Sequence, residues 1–412
     1  MVSFEKFTFP NGLRVIAHTD KSTPMAVLNI LYNVGARDEQ EDKTGFAHLF
    51  EHLMFGGSEN APSFDEPLQR AGGESNAFTN NDITNYYDLL PAENIETAFW
   101  LESDRMRALN INAASLDVQR KVVCEEFKEH YLNQPYGDVW HKLSSLAYKV
   151  HPYKWPTIGK DLSHIENAQL DDVRNFFQRF YTPSNAIMVI AGNIESAEAK
   201  ALAEKWFGKI EGNGVSERNY PKEPQQTQER LLEIKANVPV NALFKAWHIG
   251  KRDSRNFYVM DIVSDLLAEG TSSRLYQNLV KNKKLFSEID ASLSGSLDEG
   301  LFLIEGRLYG GVTMQQADAA ITEELEQLKS KTVSDYELQK VKNKIESTHT
   351  FGEANLLTRA MHLAFFELLG DAGRVNTEIS RYMEVSAAEV LKESQKIFVS
   401  ENCSTIYYYA NN

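Results

Sequence analysis

Two histidines and a glutamate near the start of the chain have the spacing of a metal site. His48, Glu51 and His52 stand in the order His-x-x-Glu-His within GFAHLFEHLMFGGS, residues 45–58. On a helix, His48 and His52 lie one turn apart on the same face, and Glu51 lies beside them. Two imidazoles at this spacing can bind one zinc ion and hold the glutamate next to it. The pattern therefore predicts half of a zinc site suited to hydrolysis.

A third protein ligand must come from elsewhere in the chain, because catalytic zinc usually takes three protein ligands and leaves the fourth position to water. A second segment with helical spacing, QRKVVCEEFKEH at residues 119–130, offers Glu125, Glu126 and Glu129. The spacing alone does not choose among these three carboxylates. We expect four apolar residues to anchor this helix in the core, namely Val118, Val122, Val123 and Phe127.

Composition and charge limit the classes of protein to which the chain can belong. With 412 residues it is too long for one ordinary core, which favours two domains. A formal net charge of -15 disfavours nucleic acid as a partner, because phosphate binding needs a positive surface. There is no apolar run of membrane-spanning length and no apolar signal segment, so we expect no membrane association. A cytoplasmic location is the default expectation, and a periplasmic one would require a removed leader.

The chain repeats itself with an offset of roughly 213 to 217 residues. LYNVGARDE is similar to AWHIGKRDS, which aligns Gly35 with Gly250. FFQRFYTPSNAIMVIAGN has the same plan as SQKIFVSENCSTIYYYAN, which aligns Asn185 with Asn402. The constant order and offset of these matches predict a duplicated domain.

This repeat defines the expected architecture. We predict homologous domains at residues 1–212 and 231–412, joined by a polar linker containing Gly and Pro at residues 213–230. Alternating apolar stretches and helical segments are mixed without a strict β-α-β rhythm, which favours the α+β class. Each domain should be a mostly antiparallel sheet flanked by helices.

The second half lacks the zinc pattern. At an offset of about 213, the three motif residues align with Asp261, Ser264 and Asp265. A motif required for folding should be kept in both halves, so its loss from one half favours a functional role in the other.

HLFEH resembles the inverted zinc motif of the metallopeptidase family that includes pitrilysin, insulysin and the mitochondrial processing peptidase. The similarity extends through RAGGESNAFTNNDITNYYDLLP (70–91), RKVVCEE, HPYKWPTIG (151–159) and GTSSRLYQNL (270–279), and it covers essentially the whole chain. The resemblance implies a zinc metalloendopeptidase that hydrolyses short unfolded peptides in an enclosed cleft, of the bacterial type in which a subunit of this length carries the zinc.

The resemblance also implies roles for individual residues of the zinc site. His48, His52 and Glu126 would hold Zn²⁺, and Glu51 would activate a zinc-bound water. Gln119 stands where the family usually has an acidic residue, seven positions before the third ligand, and would act near the site as a neutral hydrogen-bonding group.

Substrate binding in the family uses an edge strand, with which an extended peptide pairs by β-augmentation. The segment SNAFT would have that role here, so Asn76 and Ala77 would make backbone contacts with the peptide. A plain junction between a turn and a strand is the alternative reading of these two residues.

One part of the family pattern is missing. Complete enzymes of the family carry an Arg and a Tyr, seven positions apart, that bind substrate, and the corresponding positions here are Val280 and Ser287. This implies a heterodimer with a homologous subunit that supplies the pair. A self-sufficient chain or homodimer, using nearby residues at other spacings, is the less favoured alternative: Arg274, Tyr276, Arg307 and Tyr309. A non-catalytic peptide-binding or scaffold subunit is the alternative function.

Overall fold

The computed structural model of the chain describes residues 1–214 and 218–411. The strands in these residues are β1 (Glu5–Thr8), β2 (Arg14–Thr19), β3 (Met25–Tyr32), β4 (Glu74–Thr79), β5 (Thr84–Pro91), β6 (Ala186–Gly192), β7 (Arg230–Ala236), β8 (Ala242–His248), β9 (Phe286–Leu293), β10 (Leu301–Leu308) and β11 (Cys403–Ala410).

The α-helices are α1 (Phe46–Leu53), α2 (Asp65–Arg70), α3 (Ile95–Ala108), α4 (Ala113–Phe127), α5 (Val139–Ala147), α6 (Leu162–Glu166), α7 (Leu170–Phe180), α8 (Ser196–Phe207), α9 (Arg255–Ala268), α10 (Met314–Ser330), α11 (Asp335–Gly352), α12 (Leu356–Leu368), α13 (Glu378–Met383) and α14 (Ala387–Ile397). Two π-helical segments, Lys128–Leu132 and Tyr276–Asn282, and several short 3-10 turns complete the helical structure. In the part of the chain that the structure describes, no helix is both long and apolar enough to cross a bilayer.

The first compact unit, unit 1, contains Met1–Lys128, Trp155–Tyr220 and Thr350–Thr377. Its six strands lie in the order β1-β2-β6-β3-β5-β4, with β2 and β6 parallel and the other neighbours antiparallel. The central strand β6 is buried at every position because both faces of the sheet are covered. Helix α12 packs Ala360, Leu363 and Phe366 into this core.

The second compact unit, unit 2, contains Glu129–Lys154, Pro221–His349 and the chain from Glu378 onward. Its five strands lie in the order β7-β11-β8-β10-β9, with β7 and β11 parallel and the other neighbours antiparallel. Helix α5 packs Val139, Leu143 and Ala147 against this sheet.

The two sheets repeat the same plan, since β7-β11-β8-β10-β9 follows the order of β2-β6-β3-β5-β4. The aligned asparagines, Asn185 and Asn402, also make equivalent hydrogen bonds. Each donates through Nδ2 to two carbonyl oxygens, those of Asn33 (3.1 Å) and Phe180 (2.8 Å) in unit 1 and those of His248 (3.1 Å) and Ile397 (3.1 Å) in unit 2. The predicted α+β fold with two homologous, mostly antiparallel domains is confirmed.

The compact units differ from the predicted contiguous domains, 1–212 and 231–412, in two segments. Residues 129–154 of the first half belong to unit 2, and residues 350–377 of the second half belong to unit 1. Apolar periodicity shows that α5 and α12 each have a core face, but it does not show which sheet that face covers. In the predicted linker, 213–230, residues 215–217 lie outside the described residues, and the others form no helix or strand before β7 begins.

Candidate metal centre

Helix α1 carries the two histidines, and its N-cap residue is a glycine. Gly45 is the N-cap, with φ 88°, and a Cβ there would lie 2.6 Å from Ile165 Cδ1 and 2.7 Å from the carbonyl oxygen of Ile158. Only glycine adopts this conformation and fits this space without cost. The first turn of α1 therefore has no capping side chain of its own, and its free N–H groups need another acceptor.

Glu39 supplies that acceptor from the preceding loop. Its buried carboxylate accepts hydrogen bonds from Ala47 N at Oε1 (2.8 Å) and from Gly45 N at Oε2 (2.9 Å). Burial raises the pKa of the Glu39 carboxyl, and these backbone N–H groups oppose the rise. The sequence pattern did not single out Glu39, although an acidic side chain near a helix N-terminus interacts favourably with the helix dipole.

The third component comes from α4, which brings Glu126 to the two imidazoles. The Nε2 atoms of His48 and His52 lie 3.7 Å and 3.3 Å from Glu126 Oε2. One ligand atom from each of the three side chains lies within 4.8 Å of the others, the one group of this kind found in the described residues. The geometry separates Glu126 from Glu125, which is exposed and pairs with Lys128 Nζ at 2.8 Å.

These side chains fit a zinc ion. Tetrahedral coordination with bonds of about 2.0–2.1 Å places ligand atoms about 3.3 Å apart, close to the distances from Glu126 to His48 and His52. Burial, together with the neighbouring His52, lowers the pKa of His48 to about 4, so that the imidazole of His48 is neutral at pH 7. Two imidazoles and one carboxylate form a donor set that zinc prefers.

Glu51 lies beside this group and contacts the sheet. Its half-buried carboxyl lies close to Thr79, the last residue of β4. Burial raises the pKa of the Glu51 carboxyl, while the polar groups of Thr79 and the neighbouring His52 oppose the rise. A raised pKa suits a group that accepts and returns a proton near neutral pH. Thr79 is a second residue that the sequence analysis missed.

Strand β4 forms an open edge of its sheet. Its pairing with β5 includes a hydrogen bond from Asn80 N to Ile83 O (3.0 Å), and bonded and non-bonded pairs alternate along antiparallel strands. The backbone groups of Asn76 therefore point to β5, and those of Ala77 point to the open edge. In agreement, Ala77 N donates to the side-chain Oδ1 of Asn76 (2.8 Å).

The other predicted residues of α4 divide into two groups. Gln119 is half-buried two turns before Glu126, and its side chain makes no hydrogen bond with any described residue. Val123 and Phe127 are buried as predicted, but Val118 and Val122 are 57 % and 41 % exposed, so their predicted core role is wrong. The helix buries a different stripe, formed by Leu116, Val123, Cys124 and Phe127, which leaves the opposite side to solvent.

Unit 2 has a different polar arrangement on α9, at the positions aligned with the motif. Asp261 accepts a hydrogen bond from the Tyr382 hydroxyl (2.6 Å), and burial raises the pKa of Asp265 to about 6. Of the nearby cationic residues, Arg274 is bound by both oxygens of Glu337 (2.7 Å each). Ser287, at one of the two positions of the missing pair, donates to the carbonyl oxygen of Arg307 (3.2 Å).

Comparison with known proteins agrees with this division of the chain. The family model described as Insulinase (Peptidase family M16) matches residues 14–161, which include the zinc motif and Glu126. A second model, described as Peptidase M16 inactive domain, matches residues 167–345.

Full-length relatives match as well. Zinc protease PqqE of Helicobacter pylori is 28% identical over 411 residues, which are 98% of this chain and 92% of that protein. The uncharacterized zinc protease YmxG of Bacillus subtilis is 26% identical over 389 residues, 91% of this chain and 93% of that protein. The crystal structure of a protease from Helicobacter pylori superposes with a TM-score of 0.93 at 27% identity, covering 99% of this chain and 100% of that one. This chain belongs to peptidase family M16.

Proposed function

We propose that this protein is a zinc metalloendopeptidase that hydrolyses short, unfolded peptides. The observation that carries the proposal is the convergence of His48, His52 and Glu126 next to Glu51. These three ligands would hold the metal, which when bound supplies Lewis acidity to the scissile carbonyl and the attacking water. The names of the relatives, zinc proteases, support the same chemistry.

Glu51 is the proton carrier in this proposal. Its carboxylate accepts a proton from the attacking water and later donates it to the leaving amine. Its half-buried carboxyl extends from helix α1 and lies close to Thr79 of β4, which limits the positions from which the proton is transferred.

The open edge of β4 is the binding surface for the substrate. An extended peptide that pairs with this edge meets the outward backbone groups of Ala77, and it approaches Glu51 because Thr79 ends the same strand. The N–H of Ala77 must exchange its bond with the Asn76 side chain for one with the peptide. Backbone pairing of this kind selects unfolded peptides, since a folded chain has few free N–H and C=O groups to offer.

We further propose that the active form is a heterodimer with a homologous subunit that provides an Arg and a Tyr. The corresponding positions of this chain, Val280 and Ser287, offer neither side chain. Arg274 is engaged by Glu337 and does not replace them. An enzyme without these donors lacks charge stabilisation for the tetrahedral intermediate, a loss of about 10²- to 10³-fold for each donor removed.

The test is cleavage of a mixture of unstructured peptides by the purified, zinc-loaded chain, alone and with a homologous subunit that carries the pair. We expect cleavage only in the mixture, and none when this chain carries Glu51→Gln. Cleavage by the chain alone would overturn the heterodimer and favour a self-sufficient monomer or homodimer. Zinc binding without cleavage in either assay would favour a peptide-binding or scaffold subunit.

Metal binding can be tested separately from activity. Glu126→Gln removes a charged ligand, so zinc affinity measured by chelator competition should fall by at least tenfold. Glu125→Gln changes the adjacent, exposed carboxylate and is the matched control, with affinity close to that of the wild type. Equal losses in the two variants would contradict the assignment of Glu126.

A further inference from the structure

The internal repeat creates two equivalent pockets, and an arginine fills the one in unit 1. Arg218 Nη2 donates to the carbonyl oxygen of Asn33 and to Asn185 Oδ1 (3.1 Å), and its Nε lies 3.1 Å from Asp38 Oδ1. The guanidinium carbon lies 5.6 Å from the centre of the Phe180 ring. The Arg218 side chain is only 13 % exposed. These contacts make the guanidinium an integral part of unit 1.

A tyrosine two residues later strengthens this arrangement. The Tyr220 hydroxyl donates to Asp38 Oδ1 (2.6 Å), the same carboxylate oxygen that faces Arg218, and the Arg37 guanidinium lies over the Tyr220 ring at 4.9 Å. An Arg-x-Tyr segment is thus anchored at two points in an extended stretch without helix or strand.

The equivalent pocket in unit 2 is open. Its volume is about 590 Å³, and its lining includes His248, Ile397 and Asn402, which are equivalent to Asn33, Phe180 and Asn185. No arginine lines it among the residues that the structure describes. A cavity of this size accommodates a side chain with parts of its neighbours, since ligand sites span about 300–1,000 Å³.

Acceptors for a guanidinium remain in unit 2. Asn402 uses Nδ2 to bind its own unit, while its Oδ1 accepts no hydrogen bond from the described part of the chain. In unit 1 the equivalent Asn185 binds Arg218 through Oδ1. Asp253, which aligns with Asp38, does not line the cavity, and Lys251 Nζ lies 3.3 Å from its Oδ1. The carboxylate that lines the cavity beside Asn402 in the chain is that of Glu401.

The charges at the rim allow a cation to enter. The cavity lining includes three carboxylates, those of Glu223, Glu299 and Glu401, and two ammonium groups, those of Lys222 and Lys396. The Glu223 carboxylate is engaged by the backbone N–H groups of residues 149–151 at 2.8–2.9 Å. Lys222 Nζ lies 3.9 Å from Glu299 Oε1, so Glu401 is the lining carboxylate that remains to attract a guanidinium.

We propose that this cavity of unit 2 binds an arginine side chain of an extended peptide, in the manner in which unit 1 binds its own Arg218. The preferred ligand has the order Arg-x-Tyr, with the guanidinium on Asn402 and Glu401, which both line the cavity, and the phenol close by. Arginine is favoured over lysine because its planar fork can reach a carbonyl, an amide oxygen and a carboxylate together. The site is separate from the zinc centre and does not depend on it.

The test is calorimetric titration of the full, zinc-loaded chain carrying Glu51→Gln with the capped peptide SERNYPK, which copies residues 216–222. We expect one peptide per chain, with binding at least tenfold weaker when the peptide arginine is replaced by lysine or alanine. Removal of zinc should leave the affinity unchanged. Equal binding of the arginine and alanine peptides would overturn the proposal, and so would binding that disappears with zinc.

Variants of the protein locate the site. Val399→Trp fills the cavity and should abolish binding, whereas Lys392→Trp, at an exposed position of α14 outside the lining, should leave it unchanged. Glu401→Gln keeps the shape and removes a charge from the cavity lining, and should weaken binding about tenfold. Thermal unfolding shows whether each variant is folded. If Val399→Trp does not fold, Glu401→Gln is the deciding variant. Wild-type affinity in a folded Val399→Trp chain, or in Glu401→Gln, would contradict the site.

Discussion

At the scale of single residues, the position of His48 and His52 depends on a side chain that never meets the metal. Glu39 holds the first turn of α1, where Gly45 offers no cap of its own. Glu39→Ala leaves two buried N–H groups without acceptors, so we expect the free energy of unfolding to fall by about 1–3 kcal/mol. Because the same turn carries His48, zinc affinity should fall by about tenfold. Urea denaturation and chelator competition measure the two effects.

A nearby acidic residue is the control for this prediction. Glu41 is exposed and pairs with Lys160 Nζ at 3.0 Å, so Glu41→Ala should change stability by no more than about 0.5 kcal/mol. Its zinc affinity should match that of the wild type. If Glu39→Ala behaved like Glu41→Ala, the carboxylate would have no part in positioning the helix.

At the scale of elements, the start of α14 shows how capping couples to pH. The Glu389 carboxylate accepts hydrogen bonds from Ser386 N and Oγ (2.8 Å each) and from Arg255 Nε (2.8 Å). The Arg255 guanidinium, together with Ser386, lowers the pKa of Glu389 to about 2. A lowered folded-state pKa contributes stability that is present above the unfolded value of about 4.3 and is lost as pH falls towards about 2.

Glu389→Gln keeps the polar cap and removes the charge. Because the side chain is 35% exposed, we expect a loss of only about 1 kcal/mol at pH 7, well below what the pKa shift alone suggests. The difference from the wild type should narrow as pH falls below about 4.3. Urea denaturation at pH 7, 4 and 3 measures this difference, with Glu401→Gln, a variant of another acidic residue of unit 2, as control. A difference that stays constant across this range would show that the charge has no role.

The sequence predicts features that depend on spacing within the chain, but not those that depend on tertiary packing. The α1 motif and the aligned Asn185 and Asn402 were readable because spacing and repetition are properties of the chain itself. The choice of Glu126 over Glu125 depended on which side of α4 faces the histidines, and the spacing left it open. Val122 has the composition of a core residue and is exposed because the buried stripe runs along another side. Such facts belong to packing, which one sequence does not display.

At the scale of the whole molecule, each sheet is covered by a helix from the opposite half of the sequence. Leu363 of α12 is fully buried against unit 1, and Leu143 of α5 is buried in unit 2. Replacement of either by alanine leaves a cavity that costs about 2–5 kcal/mol. Amide hydrogen exchange can show which unit is destabilised, because it measures the local stability of each cooperative part of a structure.

Leu363→Ala should therefore accelerate exchange in β2, β3 and β6, although the residue follows all of these strands by more than a hundred positions. Leu143→Ala should accelerate exchange in β8 and β11 instead. If the domains were contiguous halves of the chain, the two patterns would be reversed. Zinc binding should also distinguish the two variants, because α1 and α4, which carry the proposed ligands, belong to unit 1. Zinc should restore part of the protection lost in Leu363→Ala, since ligand binding stabilises the folded unit that holds it.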